Sequence, residues 1–343
     1  MKTNFILKTC SFIILLIIKR VFALNPNFHI YLAFGQSNME GQGPIEEQDT
    51  IPVERFRMIS TVKDCNKHSL GVWYDAVPPL ANCYGKLGPV DYFGRTLIAN
   101  LPEDYKVGVA VVAVAGCDIQ LFEKENYQDY IEIMPDYMRA TVSAYGGSPY
   151  DRLIEMGLKA KTKGVIKGIL LHQGETNSGQ TNWPSRIKKI YENILTDLEL
   201  NAEDVPLLAG EVVQSSVGGC CGGMNKIIDS LPKTIPTAHI VSSKDLEQQG
   251  DNAHFTSEGY RILGKRYAEV MLKILEEQNI PIKTNDTVID NSQTNNTTNE
   301  DYLDSSSSDN NLNSEKPLDN SSINKYGFSI GIIITELLLL LLF

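Results

Sequence analysis

The chain carries a serine, a histidine and an aspartate whose types and spacing suit ester hydrolysis. Ser37 lies in Gly-Gln-Ser-Asn-Met at residues 35–39, directly after an apolar run. Asp251 and His254 lie three residues apart, late in the chain and just before a helix-like stretch. A serine hydroxyl becomes nucleophilic when a base takes its proton and an acid orients that base. We therefore predict Ser37 as nucleophile, His254 as base and Asp251 as the acid that orients it.

Two further segments place polar groups or a glycine at the ends of apolar runs. His-Gln-Gly-Glu at residues 172–175 follows one run, and Gly116 closes another. In open parallel α/β sheets, ligands bind at the edge where the strands reach their carboxyl ends. These segments are therefore expected at the same edge as Ser37.

The elements that must position these groups alternate along the chain. Short runs rich in Val, Ile and Leu, typical of strands buried on both faces, lie at residues 28–34, 107–115, 165–171, 205–209 and 238–241. Helix-like stretches lie at residues 92–99, 148–163, 184–200 and 257–276, the last with Thr256 as its N-cap. This alternation predicts a three-layer α/β sandwich with a five-stranded parallel sheet between helices. The segment 41–89 lacks clear periodicity and is interpreted as a loop insertion over the site edge.

The order and spacing of these blocks resemble the SGNH hydrolase superfamily. Within it, the chain is similar to the sialate O-acetylesterase-like and acetylxylan esterase group, carbohydrate esterase family 6. The matching blocks are residues 35–39, the Gly116 region, residues 172–175 and residues 251–254, and the resemblance runs from about Phe28 to Leu275. The superfamily usually carries Gly-x-Asn-Asp at its third block. The His-Gln-Gly-Glu found here points to the carbohydrate esterase branch.

The resemblance implies a flavodoxin-like strand order, 2-1-3-4-5, and an acyl-serine mechanism with neither metal nor organic cofactor. It also implies an oxyanion hole. Its donors would be the backbone N–H groups of Ser37 and Gly116 and the side-chain amide of Gln173. Because Gln173 stands where the superfamily has asparagine, its longer side chain must reach from a different backbone position.

Four more residues are candidates for substrate contact or site support. Gln36 and Asn38 are interpreted mainly as shaping the turn around Ser37, with Asn38 also able to touch substrate. Glu175 is expected to form a structural hydrogen bond to the 35–39 turn, or else to bind a sugar hydroxyl or a histidine. Trp73 either stacks on a sugar ring or packs the insertion.

The function implied is that of a carbohydrate O-acetylesterase acting on an acetylated polysaccharide or glycan. Acetylxylan is favoured, because a flexible stalk suits a polymeric substrate, and sialate O-acetylesterase activity is the alternative. A catalytically weak glycan-binding surface protein, or a lipase or thioesterase of the same superfamily, is also consistent with the fold. The net charge of −11 argues against nucleic acid as a partner, since phosphate binding needs a basic patch. The sequence carries no signal for an oligomeric state.

The cysteines favour an oxidising compartment. Cys65 and Cys83 lie within the insertion and are predicted to form a disulfide. A bridge from Cys117 to the Cys220–Cys221 loop would brace the site, and the odd count outside the signal leaves one thiol unpaired. No paired C-x-x-C spacing is present, so a zinc site is not expected.

The two ends of the chain predict export. Residues 1–23 have the basic start and apolar stretch of a secretory signal, and residues 24–282 form the esterase domain. Residues 283–325 are rich in Asn, Ser and Thr, contain glycosylation sequons, and are expected to be a disordered stalk. The apolar tail at residues 326–343 fits a GPI-attachment signal, with a C-terminal transmembrane anchor as the alternative. Both place the globular domain at the outer cell surface.

Overall fold

A computed structural model of the chain describes residues 24–283. The predicted signal segment at 1–23 and the predicted stalk and tail from residue 284 onward lie outside the described residues, as do the sequons and the predicted anchor signal. Within residues 24–283, no helix is both long enough and apolar enough to cross a membrane.

One seven-stranded sheet, in the order β3-β2-β4-β1-β5-β6-β7, forms the centre of the fold. Every neighbouring pair is parallel except β2 and β3. The strands are β1 Phe28–Gly35, β2 Phe56–Ile59, β3 Trp73–Asp75, β4 Lys106–Ala113, β5 Val165–His172, β6 Leu207–Gly210 and β7 Ala238–Val241. The five predicted strands are β1, β4, β5, β6 and β7, and their spatial order is 2-1-3-4-5. The α/β class and this order are therefore confirmed.

Helices cover both faces of the sheet, which explains why its strands read as continuous apolar runs. All eight residues of β1 are buried. Because side chains alternate along a strand, Ile30, Leu32 and Phe34 join the core on one face. Tyr31 and Ala33 join the core on the other.

The helices divide between these two cores. They are α1 Ser37–Glu40, α2 Pro89–Asn100, α3 Tyr127–Ile133, α4 Arg139–Ala144, α5 Pro149–Lys161, α6 Trp183–Asp197, α7 Asn225–Ile228 and α8 Ser257–Glu277. Helices α2 and α8 pack in the core that contains Tyr31. Helices α5 and α6 lie in the core that contains Ile30. Thr256 caps α8 by accepting a hydrogen bond from the backbone N–H of Gly259 at 3.0 Å, as predicted.

The segment 41–89 is more ordered than the sequence predicts. It contributes β2, which pairs with β4, and β3, which pairs with β2, so the sheet has seven strands and not five. These strands have four and three residues. Such short strands carry little periodic signal, and their hydrogen bonds come from partners distant in sequence. Cys65 and Cys83 are bonded to each other, with their Cα atoms 5.3 Å apart.

The suggested bridge from Cys117 to the Cys220–Cys221 loop does not form. Cys220 and Cys221 are bonded to each other. Cys117 is a buried free thiol, and its Sγ lies 3.8 Å from the carbonyl oxygen of Gly35. The Cys117 sulfur therefore packs against the end of β1 and forms no disulfide.

Candidate active site

The turn between β1 and α1 presents Ser37 at the carboxyl end of the central strand. Gly35 ends β1 with a φ of 151°, and a Cβ at this position would collide with the carbonyl oxygen of His172 in β5. Only glycine allows this close approach of two backbones. Ser37 begins α1, so its N–H has no partner within the helix.

Ser37, His254 and Asp251 form one chain of hydrogen bonds. The Oγ of Ser37 is 2.8 Å from Nε2 of His254. The other ring nitrogen, Nδ1, is 2.6 Å from Oδ2 of Asp251. This geometry allows His254 to accept the serine proton while Asp251 holds its tautomer and stabilises the imidazolium.

Backbone donors hold the Asp251 carboxylate in place. Its Oδ1 accepts hydrogen bonds from the N–H groups of Ala253 at 3.0 Å and His254 at 2.9 Å. Partial burial acts to raise the pKa of Asp251, but the hydrogen bonds from the His254 ring, the two backbone N–H groups and Gln249 outweigh it and lower that pKa well below its usual range. The acid is therefore ionised wherever the histidine can act as a base.

Asn38 joins the nucleophile turn to the loop that carries the histidine. Its amide nitrogen donates to the carbonyl oxygen of Ala253 at 2.9 Å and to the carboxylate of Glu175. Its amide oxygen accepts from the hydroxyl of Tyr260 in α8. Asn38 is fully buried, so it supports the site and does not touch substrate.

Glu175 contacts the nucleophile turn and not His254. It accepts from Asn38, and its Oε1 lies 4.0 Å from Nδ1 of His172. Burial lowers the pKa of His172, and its Nε2 donates to the carbonyl oxygen of Glu211 at 3.0 Å. Glu175 therefore occupies the structural position expected for it, beside a neutral buried histidine.

Backbone N–H groups suited to an oxyanion lie beside Ser37. Neither the N–H of Ser37 nor that of Gly116 donates to a backbone acceptor within residues 24–283. Gly116 has a φ of 73°, and a Cβ there would meet the hydroxyl of Tyr137. The positive φ of Gly116 therefore favours glycine at this position.

These groups surround a cavity of about 310 Å³. It is lined by Gln36, Ser37, Gln42, Ala115, Gly116, Tyr137, Glu175, Ala253 and His254. A second cavity of about 220 Å³ shares Gln42, Ala115 and Tyr137 with it and adds Tyr84. Tyr84 and Tyr137 are 58% and 67% exposed, and both line this second cavity.

The structure does not bring the side chain of Gln173 to this cavity. Gln173 is 1% exposed. Its amide nitrogen lies near Oε1 of Gln36 at 3.1 Å, the carbonyl oxygen of Cys117 at 3.3 Å and the amide oxygen of Asn177. Three protein acceptors thus compete for its two hydrogens, and none is left for substrate.

Trp73 also lies away from the serine. It belongs to β3 and packs against Phe28, with ring centroids 5.0 Å apart, near the amino ends of β1 and β4. It lines a separate cavity of about 700 Å³ with Arg57, Lys106 and other residues, none of which belongs to the Ser37 site. Of the two roles considered for Trp73, packing of the insertion fits this position, and stacking on a sugar at Ser37 does not.

Sequence reasoning missed several residues that build the site. Glu40 is buried at the end of α1 and accepts from Asn82 at 2.8 Å and Gln42 at 2.9 Å. Burial raises the pKa of Glu40 despite the hydrogen bonds from Asn82 and Gln42. Tyr260 and Tyr137 were also missed. A carboxyl one helical turn after the nucleophile was the signal available for Glu40, whereas nothing local marks Asn82 or Tyr137.

Within the described residues, no group of three or more His, Cys, Asp or Glu side chains is arranged to hold a metal ion.

Comparison with known proteins gives one family match and several structural neighbours. The sequence profile of the family described as "Carbohydrate esterase, sialic acid-specific acetylesterase" matches residues 27–273. A solved protein from Arabidopsis thaliana is 21% identical with a TM-score of 0.55, covering 72% of this chain and 98% of that one. NanS is 15% identical with a TM-score of 0.51, covering 74% and 100%. A carbohydrate acetylesterase from Xanthomonas citri is 17% identical with a TM-score of 0.52, covering 72% and 57%. At these identities the solved structures show the shared fold.

Proposed function

The chain belongs to the carbohydrate esterase, sialic acid-specific acetylesterase family, and from that premise we propose that it deacetylates a neutral acetylated polysaccharide, with acetylxylan as the favoured substrate. Membership of the family makes the protein a carbohydrate O-acetylesterase. The proposal concerns the sugar, the residues that carry the reaction and the place where it occurs.

In the proposed mechanism, Oγ of Ser37 attacks the acetyl carbonyl carbon as Nε2 of His254 takes the hydroxyl proton. The carbonyl oxygen becomes an oxyanion beside the N–H groups of Ser37 and Gly116. The bond to the sugar oxygen then breaks, His254 returns the proton to that oxygen, and acetyl-Ser37 remains. Water, deprotonated by His254, attacks the acetyl group, releases acetate and restores Ser37.

The charges of the residues that line the cavity favour a neutral sugar as substrate. None of the nine lining residues is lysine or arginine, and one of them, Glu175, is a carboxylic acid. Asp251 adds a second carboxylate directly behind His254. A sialic acid carboxylate is normally bound by arginine or lysine, and here it would face groups of its own sign. An acetylated xylose unit carries no charge and meets no such repulsion.

The exposed rings of Tyr84 and Tyr137 support a polymeric substrate. Aromatic faces offer a large apolar contact with a polar tip, which suits the faces of sugar rings. The cavity beside these rings shares Gln42, Ala115 and Tyr137 with the cavity at Ser37. A chain of sugars bound with an acetyl group at Ser37 would lay a neighbouring unit against them.

The test compares acetate release from acetylxylan and from O-acetylated sialic acid, using the wild type and Ser37→Ala. We expect release from acetylxylan to be faster, and its loss in Ser37→Ala by a factor of at least about 10⁴. Faster release from the sialic acid would reject the neutral-sugar proposal while keeping the esterase. Full activity in Ser37→Ala would reject the mechanism.

We further propose that the enzyme is exported and held at the outer cell surface by its C-terminal tail. The support lies in the sequence: a signal-like start, a polar spacer with sequons and an apolar end. Release of active enzyme from intact cells by a phosphatidylinositol-specific phospholipase would support a GPI anchor. Resistance to the phospholipase, with retention after alkaline washing, would favour a transmembrane anchor, and recovery in the cytosol would reject export.

A further inference from the structure

The cavity that Trp73 lines, here called the amino-end cavity, lies at the opposite end of the sheet from Ser37. Its volume is about 700 Å³, within the roughly 300–1,000 Å³ of most ligand sites. Phe28, at the start of β1, also lines it. The eight residues of β1 run from this end to Gly35 beside Ser37, a length of roughly 25 Å. A small ligand bound here is therefore out of reach of the serine.

Two aromatic rings form one wall of the amino-end cavity. The rings of Phe28 and Trp73 pack with centroids 5.0 Å apart and planes inclined by 58°. Gly108 in β4 leaves room for them, because a Cβ at this position would lie 2.8 Å from both rings. The indole N–H of Trp73 donates to no acceptor within residues 24–283, yet it is not one of the sealed polar atoms of that part of the chain. Solvent, or a ligand in its place, therefore reaches this donor.

Four cationic side chains line the same cavity, and the two arginines among them have structural partners. Arg57 in β2 pairs with Asp75 in β3 at 2.6 Å. Arg55 donates to two backbone carbonyl oxygens at 3.0 and 2.9 Å and pairs with Glu103 at 3.0 Å. The arginines therefore hold this end of the sheet together, and the charge available to a ligand comes from the two lysines.

Lys106 and Lys163 are these two lysines, and both are exposed. The ion pairs that lysines form within residues 24–283 involve neither of them. Lys106 begins β4 opposite Phe28 in β1, and the carbonyl oxygen of Lys163 accepts from the N–H of Asn25 at 3.2 Å. Because β1 lies between β4 and β5, the two lysines flank residues 25–28 from opposite sides.

This combination of groups suits a sugar unit that bears one carboxylate. An aromatic ring offers a large apolar contact to the face of a sugar, and lysine ammonium groups donate to carboxylates as opposite charges. Glu54 and Asp75 line the same cavity, so an extended anionic surface such as a nucleic acid or a membrane would be repelled there. A single carboxylate can meet the lysines without approaching these acids.

We propose that the amino-end cavity is a non-catalytic binding site for a carboxylate-bearing sugar unit, with the sugar ring on Trp73 and the carboxylate between Lys106 and Lys163. The inference goes beyond the proposed function, which concerns the neutral acetylated unit at Ser37. An acidic unit held in the amino-end cavity keeps the glycan on the enzyme while the serine acts on another stretch.

The test measures Kd by titration calorimetry for three ligands without an acetyl ester: a xylo-oligosaccharide with one glucuronic acid branch, the same oligosaccharide without the branch, and sialyllactose. We expect an acidic ligand to bind at least about tenfold more tightly than the neutral one, and added salt to reduce this preference. The acidic ligand that binds more tightly identifies the source of the carboxylate.

Neutralising the two lysines tests the carboxylate contact directly. The double variant Lys106→Gln/Lys163→Gln should lose the preference for the acidic ligand. The matched control is Lys233→Gln/Lys273→Gln, which neutralises two exposed lysines outside the cavity and should keep the preference. An unchanged preference in the first double variant would overturn the proposal, as would equal Kd values of the wild type for the acidic and neutral ligands.

Tryptophan fluorescence locates the bound ligand. The chain has two tryptophans, and Trp183 is fully buried in α6, so a ligand in the amino-end cavity should change the emission of Trp73. Trp73→Phe should abolish this change. Binding that leaves the emission of the wild type unaltered would place the ligand elsewhere and overturn the proposal.

Activity measured alongside separates this site from the proposed function. The lysine double variant should hydrolyse 4-nitrophenyl acetate with the kcat of the wild type, and Ser37→Ala should keep the Kd for the acidic ligand. Loss of the acidic preference with normal hydrolysis therefore concerns only the amino-end cavity. Normal hydrolysis in Ser37→Ala would reject the esterase mechanism and leave the binding site standing.

Discussion

The imidazole of His254 lies between a buried serine and a partly exposed aspartate. The Ser37 residue is 6% exposed, whereas the side chain of Asp251 is 43% exposed. Solvent reaches the acid, so its hold on the histidine depends on direct hydrogen bonds rather than on burial. The Asp251–His254 loop supplies these bonds within four residues, which makes the acid–base pair a local unit.

Replacement of Asp251 should therefore lower the catalytic rate strongly and change the stability little. In Asp251→Asn, an amide faces Nδ1 of His254 and favours the wrong tautomer, so we expect kcat/KM on an acetyl ester to fall about 10³–10⁴-fold. The thermal midpoint should change little, since the site is at the surface. Steady-state kinetics and a melting curve check both parts.

Glu175→Gln is the comparison for that experiment. Its amide keeps an oxygen to accept from Asn38, and Glu175 does not contact His254, so the loss should be much smaller than in Asp251→Asn. A larger loss in Glu175→Gln than in Asp251→Asn would mean that Glu175, and not Asp251, assists the base.

At the scale of elements, α2 contains a buried acid whose ionisation opposes folding. Asp91 lies in the first turn of α2 and pairs with Arg95 at 2.7 Å, but its Oδ1 is buried without a partner. Burial raises the pKa of Asp91 to about 6, and the hydrogen bond from Arg95 offsets this only in part. The folded protein therefore binds more protons than the unfolded chain between about pH 4 and pH 6.

The sign of the expected pH effect follows from this proton uptake. Stability from Asp91 is greatest when it is protonated and is lost as pH rises through about 6. Between pH 7 and pH 4.5, the wild type should gain about 2 kcal/mol relative to Asp91→Asn. Urea unfolding of both proteins at the two pH values measures the difference. A constant difference between the proteins would show that Asp91 is ionised throughout this range.

At the scale of the molecule, the two cores and the site all lie within residues 24–283. The described sheet and both described cores lie there, and the family profile ends at residue 273. A protein of residues 24–283 should therefore fold and hydrolyse a small soluble acetyl ester with the kcat/KM of the chain that retains its stalk. Purified preparations of both, compared on 4-nitrophenyl acetate, test this expectation. A loss above about tenfold on truncation would place part of the functional enzyme in the C-terminal segment.

Local sequence determined the elements that carry chemistry. Gly35 and Ser37 follow a buried strand, and Asp251 and His254 are three residues apart, so their relation depends on the backbone of a turn and little else. The five buried strands could also be predicted from the sequence, because a strand that is buried on both faces has a continuous run of apolar residues. The strand order was implied by the family resemblance and not by the residues, because the sequence of one strand does not indicate which strands pair with it.

Tertiary structure decided what depends on partners distant in sequence. Gln36 and Gln173 are 137 residues apart, so their hydrogen bond forms only in the folded chain. Trp73 lies in the insertion that the sequence predicts over the site, yet its side chain packs against Phe28 at the start of β1. Tyr84 and Tyr137 are also distant in sequence, and they line one cavity only in the folded chain. The direction of a side chain depends on the backbone pairing and packing around it, and the neighbouring residues in the sequence determine neither.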